Sequence, residues 1–160
     1  MTDKIEPKEF WHHLDDVMAG MLTLHGARPV PMSPYADKEA GAIWFITARG
    51  TDIEESLRGG PKSAQFIVAA GDAQLYANIE GTAQIVHDPE KLDEIWNVIA
   101  DSWFEGGEAD PDVTLVRFDL REAEAWTTDG KLGFLYEIAK AQVTDEKPDM
   151  GAHGRLNFAA

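Results

Sequence analysis

The sequence predicts a mainly β, α+β protein: a closed antiparallel barrel decorated by helices. Three observations carry that prediction. At least six short β-like runs are separated by Gly, Pro and Asp turns, and helical patterns are sparse among them. Regular strand–helix–strand alternation is missing, as is a Gly-x-Gly-x-x-Gly turn, so a doubly wound nucleotide fold is not expected. The 160 residues contain neither an internal repeat nor a linker between two cores, which gives one domain over residues 1–150 and a polar tail over 151–160.

The elements follow in order. Glu6-Pro7 opens a helix, because proline suits the first helical turn. Phe10, Trp11, Leu14, Val17, Met18 and Met21 then recur at helical spacing, with Gly20 as its stop. A strand is expected from Met21 to His25, then a turn at Gly26-Ala27. A second runs from Val30 to Tyr35, with prolines at 29, 31 and 34. A strand with that many missing amide donors belongs at an edge, at a bulge, or where a sheet opens toward a ligand.

Ala42–Thr47 is an apolar strand, and residues 52–58 form a short helix capped by Thr51 or Asp52 and broken by Gly59-Gly60-Pro61. Strands follow at 64–70 and 75–86, the second kinked at Gly81. Asp88-Pro89-Glu90 is a strong helix start, and Leu92, Ile95, Trp96, Ile99 and Trp103 form the apolar face of one helix that ends at Gly106-Gly107. Residues 113–120 and 122–127 read as strands, Asp129-Gly130 as a turn, and residues 132–143 as a last helix. The tail is polar, with Pro148, Gly151 and Gly154, a composition that favours partial disorder.

Charge and motifs narrow the function classes. The net charge of −15 repels nucleic-acid phosphates and anionic lipid, so neither is an expected partner. No apolar run approaches the ~20 residues needed to cross a bilayer. The opening MTDKIEPKEFWHHLDD is polar and acidic, unlike a secretory leader, so the expected location is cytoplasmic. The absence of cysteine removes thiol nucleophiles and thiolate metal sites. His12 and His13 are adjacent and point apart on a helix, and the other histidines lie in separate segments, so no metal is expected. Ser33 and Ser63 lack a nucleophile elbow, and no carboxylate pair stands out for acid–base work.

What remains is the end of the apolar strand, Thr47-Ala48-Arg49-Gly50-Thr51. Two hydroxyls and a guanidinium suit an anion, yet Asp52, Glu54 and Glu55 follow at once. The bland alternative is a capped strand-to-helix turn with a solvated arginine.

The order of motifs resembles the FMN-binding split-barrel proteins related to pyridoxamine 5'-phosphate oxidase, most closely the general stress protein group. It is carried by VPMSPY (30–35), IWFIT (43–47), IEGTAQIVHDPEKLDEIW (79–96), SWFEGG (102–107), DPDVTLVRFDL (110–120), EAEAW (122–126) and PDMGAHG (148–154), and spans roughly residues 9 to 150. The resemblance implies a six-stranded antiparallel split barrel that forms a homodimer, with FMN as cofactor at the subunit interface. It implies that Val30, Pro31, Met32 and Ser33 face the flavin ring, that Thr47, Arg49 and Thr51 hold its phosphate, and that Trp126 lies near the ring. At a fourth phosphate position, where relatives often carry lysine, stands Ile53, for which Arg58 and Lys62 are candidate replacements. The implied activity is flavin-dependent redox chemistry by hydride transfer to FMN. The alternatives are a non-catalytic dimer that binds or senses a flavin, deazaflavin or haem, and a scaffold without flavin.

Overall fold

The computed structural model describes residues 4–128, 130–145, 147 and 151–158. Eight strands make one antiparallel sheet: β1 (Gly20–Leu24), β2 (Val30–Met32), β3 (Tyr35–Asp37), β4 (Ala42–Ala48), β5 (Lys62–Ala70), β6 (Leu75–Val86), β7 (Val113–Thr127) and β8 (His153–Asn157). The main path runs β2-β1-β5-β6-β7-β4-β3, with β8 pairing β7 beside it. β2 and β3 therefore occupy opposite edges of the path, yet only Ser33 and Pro34 separate them in sequence. Two residues span a few ångströms, so the sheet must curl until its edges meet. That closure makes the split barrel, and its seam is the proline-rich stretch. Pro31 and Pro34 have no amide to give, which keeps the seam from zipping into a continuous ladder.

Two of the eight strands exceed the six expected. The run 30–35 is divided at Ser33-Pro34 into β2, which pairs β1, and β3, which pairs β4. β8 arises in the segment read as a polar tail. Leu156 is 6% exposed, and the Phe158 ring lies 5.5 Å from Phe10 and 5.7 Å from Trp11. Two apolar anchors in a polar segment are enough to dock it on β7. Asp129 and Pro148–Met150 lie outside the described residues.

The largely aliphatic interior holds an aromatic cluster. Phe45, Phe66 and Phe118 are fully buried, with Phe45 5.1 Å from Phe66 and 6.3 Å from Phe118 in edge contacts. β4 is apolar on both faces because both are covered. Phe45 faces the core. Trp44, its neighbour on the other side of the strand, is only 4% exposed. The Lys91 ammonium and the Arg117 guanidinium each sit 5.4 Å from its ring, and its Nε1 donates to Asp37 Oδ2 at 3.0 Å.

Two helices differ from their sequence reading. α1 (Pro7–Leu14) stops before Val17 and Met18. Asp15 and Asp16 fall at its C-terminus, where the helix dipole disfavours carboxylates, and the chain closes with tight bonds from Asp16 and Val17 amides to His13 and Leu14 carbonyls. After α2 (Asp52–Leu57), the expected single helix over 89–103 is two, α3 (Pro89–Ile95) and α4 (Val98–Trp103). Asn97 causes the break: its Oδ1 accepts the Ala100 amide at 2.9 Å and starts a new helix. α5 (Gly130–Val143) follows β7.

Candidate functional site

A half-open cleft of about 330 Å³ lies at the barrel seam. One side is Pro31, Met32 and Ser33 at the end of β2, with Tyr35 from β3. The floor is Ile46, Thr47 and Ala48 from β4. α4 also lines it, through Ile99, Ala100, Trp103 and its C-cap residue Phe104. None of these side chains carries a charge. The cleft exists because the edge strands meet without a shared ladder, and Ser33, between β2 and β3, belongs to neither strand. Its amide and carbonyl are left for water or a ligand.

α4 is held to the seam by the residue that starts it. Asn97 Nδ2 donates to Tyr35 Oη at 3.0 Å while its Oδ1 caps the helix. Trp103, read from sequence as core, is 79% exposed, and Ile99 is 55% exposed. A helix of six residues buries Ala100 alone and leaves Ile99 and Trp103 exposed at the cleft.

At the far end of β4, Thr47 and Thr51 meet, Oγ1 to Oγ1 at 3.1 Å. Thr51 Oγ1 also donates to Ala48 O at 2.8 Å and accepts the Glu54 amide at 3.3 Å. With the Thr51 proton committed to Ala48, Thr47 must be the donor between the two hydroxyls. An anion arriving here would exchange one of these bonds for its own. The Arg49 side chain is exposed, one residue beyond the cleft floor, while its amide is tied to Asp112 O at 2.8 Å.

The acidic run sorts into inside and outside. Ile53 is 1% exposed and belongs to the core, so that position faces away from any phosphate. The Glu54 side chain is 6% exposed and turns back to accept the Gly50 amide at 2.7 Å. Arg58 grips it through Nε and Nη2. These bonds to Arg58 first, then the Gly50 amide and the charges of Arg58 and Arg49, push the Glu54 carboxyl down to about 2 against burial that opposes ionisation. Arg58 is thereby engaged by Glu54. Lys62 does not line the cleft.

The Glu54 arrangement predicts an acid transition. A carboxyl whose pKa falls from 4.5 to about 2 on folding stabilises fully above 4.5, and that contribution is lost as pH drops through about 2. Urea midpoints measured at successive pH values should fall across this window in the native chain. Glu54→Gln should be less stable at neutral pH and show a flatter acid limb. Equal slopes in the two chains would exclude this role for Glu54.

The structure thus gathers Pro31, Met32, Ser33 and Thr47 around one cleft, with Thr51 bonded to Thr47 and Arg49 at its edge. Val30 lies beside it on β2 and packs against the core. Trp126 does not line this cleft. It sits at the opposite end of β7 from Thr114, the partner of Thr47. There its ring stacks on His153 at 4.8 Å, and His153 Nε2 lies 3.0 Å from Glu124 Oε1. Sequence reasoning missed the α4 wall. The available signal was Asn97, a cap residue in the middle of an apolar helical pattern.

Comparison with known proteins agrees with this architecture. The family model described as pyridoxamine 5'-phosphate oxidase like matches residues 6–149. A crystal structure of a protein assigned to general stress protein 26 from Jannaschia sp. CCS1 is 49% identical, with 94% of this chain and 97% of that one covered and a TM-score of 0.88. The general stress FMN/FAD binding protein from Xanthomonas citri is 28% identical, covering 78% and 90%, with a TM-score of 0.69. A general stress family protein from Xanthomonas campestris pv. campestris is also 28% identical, covering 79% and 92%, with a TM-score of 0.67. None of the curated proteins compared with the chain matches it.

Proposed function

Because the chain belongs to the pyridoxamine 5'-phosphate oxidase-like family, we propose that it binds FMN in the seam cleft and works as a flavoprotein of the general stress type. The observation that carries this reading is the division of the site into an uncharged cleft and a polar edge. A flavin mononucleotide is divided in the same way, into a flat uncharged ring system and a phosphate. Pro31, Met32 and Ser33 face the ring, and Ser33 supplies backbone groups that neither ladder consumes. Thr47, Thr51 and Arg49 take the phosphate, with Arg49 giving the charge-assisted bond.

When bound, FMN supplies two-electron redox chemistry as a hydride acceptor. The chain's own residues bind, orient and shield the cofactor, and the cleft is lined by no carboxylate, histidine or lysine; its one phenol, Tyr35, accepts a hydrogen bond from Asn97. That same lack supports a second reading, a dimer that stores or senses flavin without turnover. Steady-state NAD(P)H oxidation with added acceptors separates the two. A homodimer fits the exposed apolar side chains Met21, Ile67, Tyr76 and Trp126 on the strands.

The test is a visible spectrum after incubation with excess FMN and desalting. Flavin bands are expected to travel with the protein. Arg49→Ala should cost about 1–3 kcal/mol of FMN affinity and leave riboflavin affinity unchanged. Equal FMN affinity in the two chains would remove Arg49 from the site.

A further inference from the structure

We infer that α4 is the aromatic wall of the flavin site and that Trp103 stacks on the uncharged ring system. The inference rests on the flavin reading above and adds to it a binding residue from an element that the sequence placed in the core. Trp103 and Ile99 are largely exposed although both line the same cleft as Pro31 and Ser33. Trp103 is 79% exposed where it lines a cleft, so its indole offers apolar surface that a bound ring would cover. Flat apolar walls without charge select a planar, neutral group, and stacking is the interaction such walls offer.

The position of α4 is built rather than incidental. Asn97 ties the start of the helix to Tyr35 at the seam. At its other end, Phe104 is 9% exposed and packs 5.9 Å from Trp96. Trp96 Nε1 in turn donates to Asp101 Oδ1 at 3.3 Å. A short helix fastened at both ends holds Trp103 at a fixed place on the cleft wall. Trp103 itself contributes little to folding, since it covers almost nothing in the free chain.

The experiment compares FMN and riboflavin in the native chain, Trp103→Ala, Trp103→Phe and Arg49→Ala, by equilibrium dialysis and by the emission of bound flavin. Trp103→Ala should weaken both ligands by the same factor, about tenfold, the scale of one lost aromatic stack. Arg49→Ala should weaken FMN alone. Trp103→Phe should keep most of the affinity, while bound riboflavin becomes brighter, because an indole in contact quenches flavin emission by electron donation more effectively than a phenyl ring.

Native-like riboflavin affinity in Trp103→Ala would overturn the inference. So would a change in self-association with per-site riboflavin affinity unaltered, which would make α4 a contact between copies. Unchanged emission in Trp103→Phe would also exclude contact. If the native chain binds neither flavin, the flavin reading itself falls and this inference with it. If it binds both and only the Trp103 variants behave as native, the flavin reading stands alone.

Discussion

Gly81→Ala is expected to destabilise the chain by about 3 kcal/mol or more, a large share of the ~5–15 kcal/mol that holds a typical domain together. A Cβ at position 81 would lie 1.9 Å from Asp119 O and 2.9 Å from its carbonyl carbon. Both are backbone atoms of a central strand and cannot swing aside. The reason is close approach, since Gly81 is not among the positive-φ glycines. Register explains the approach: Glu80 pairs with Glu122 and Gly81 with Leu120, so Arg121 is an extra residue on β7. The bulge bends the two longest strands together and presses the Asp119 carbonyl against the glycine. Gly59→Ala is the control, because a Cβ there meets nothing within 4 Å, and it should stay within about 0.5 kcal/mol of native. Urea unfolding of both variants decides the matter. Similar midpoints would mean that β6 and β7 tolerate a shift at the bulge, and the closure of the barrel would need another explanation.

That bulge was legible before any coordinates, because a glycine inside an apolar strand pattern signals a kink or a close backbone approach. So were β4, from its unbroken apolar run, and the open seam, from prolines that cannot complete a ladder. What was illegible shares a physical character. The break between α3 and α4 depends on one Asn97 side chain winning a backbone amide against a periodic apolar pattern, and periodicity does not report that contest. β8 depends on Phe158 reaching Phe10 and Trp11, a contact between the two ends of the chain. Ile53 looked like a lost lysine and is a core residue, while Glu54, one position on, turned inward to Arg58. Near the cleft, Thr47 in β4, Arg49 in the turn and Thr51 at the cap of α2 stay close together, since neighbours in sequence remain neighbours where a strand turns into a helix. That spacing says nothing of Trp103, which lines the cleft from a different element. Trp126, expected near the ring, lies at the other end of β7 against His153.

Phe45→Ala is expected to cost about 3–5 kcal/mol, the range for deleting a buried aromatic ring. Phe45 is fully buried and edge-packed on two further phenylalanines, so neighbouring side chains have little freedom to collapse into the space. It also lies two residues before Thr47, on the same face of β4. The substitution therefore tests whether the site depends on the core beneath it. If FMN binds the folded chain alone, saturating it at about 100 times Kd returns about 2.7 kcal/mol, most of the lower end of the loss. Thermal melts of Phe45→Ala with and without FMN should show that recovery, and riboflavin at the same concentration should give a smaller one if Arg49 binds the phosphate that riboflavin lacks. Recovery would mean that the end of β4 is held in place by its own bonds, Thr47 to Thr51 and the Arg49 amide to Asp112, once the strand is folded. A destabilised chain that FMN cannot rescue, beside a native chain that binds it, would mean that the Phe45 ring sets the strand position that the hydroxyls and Arg49 require.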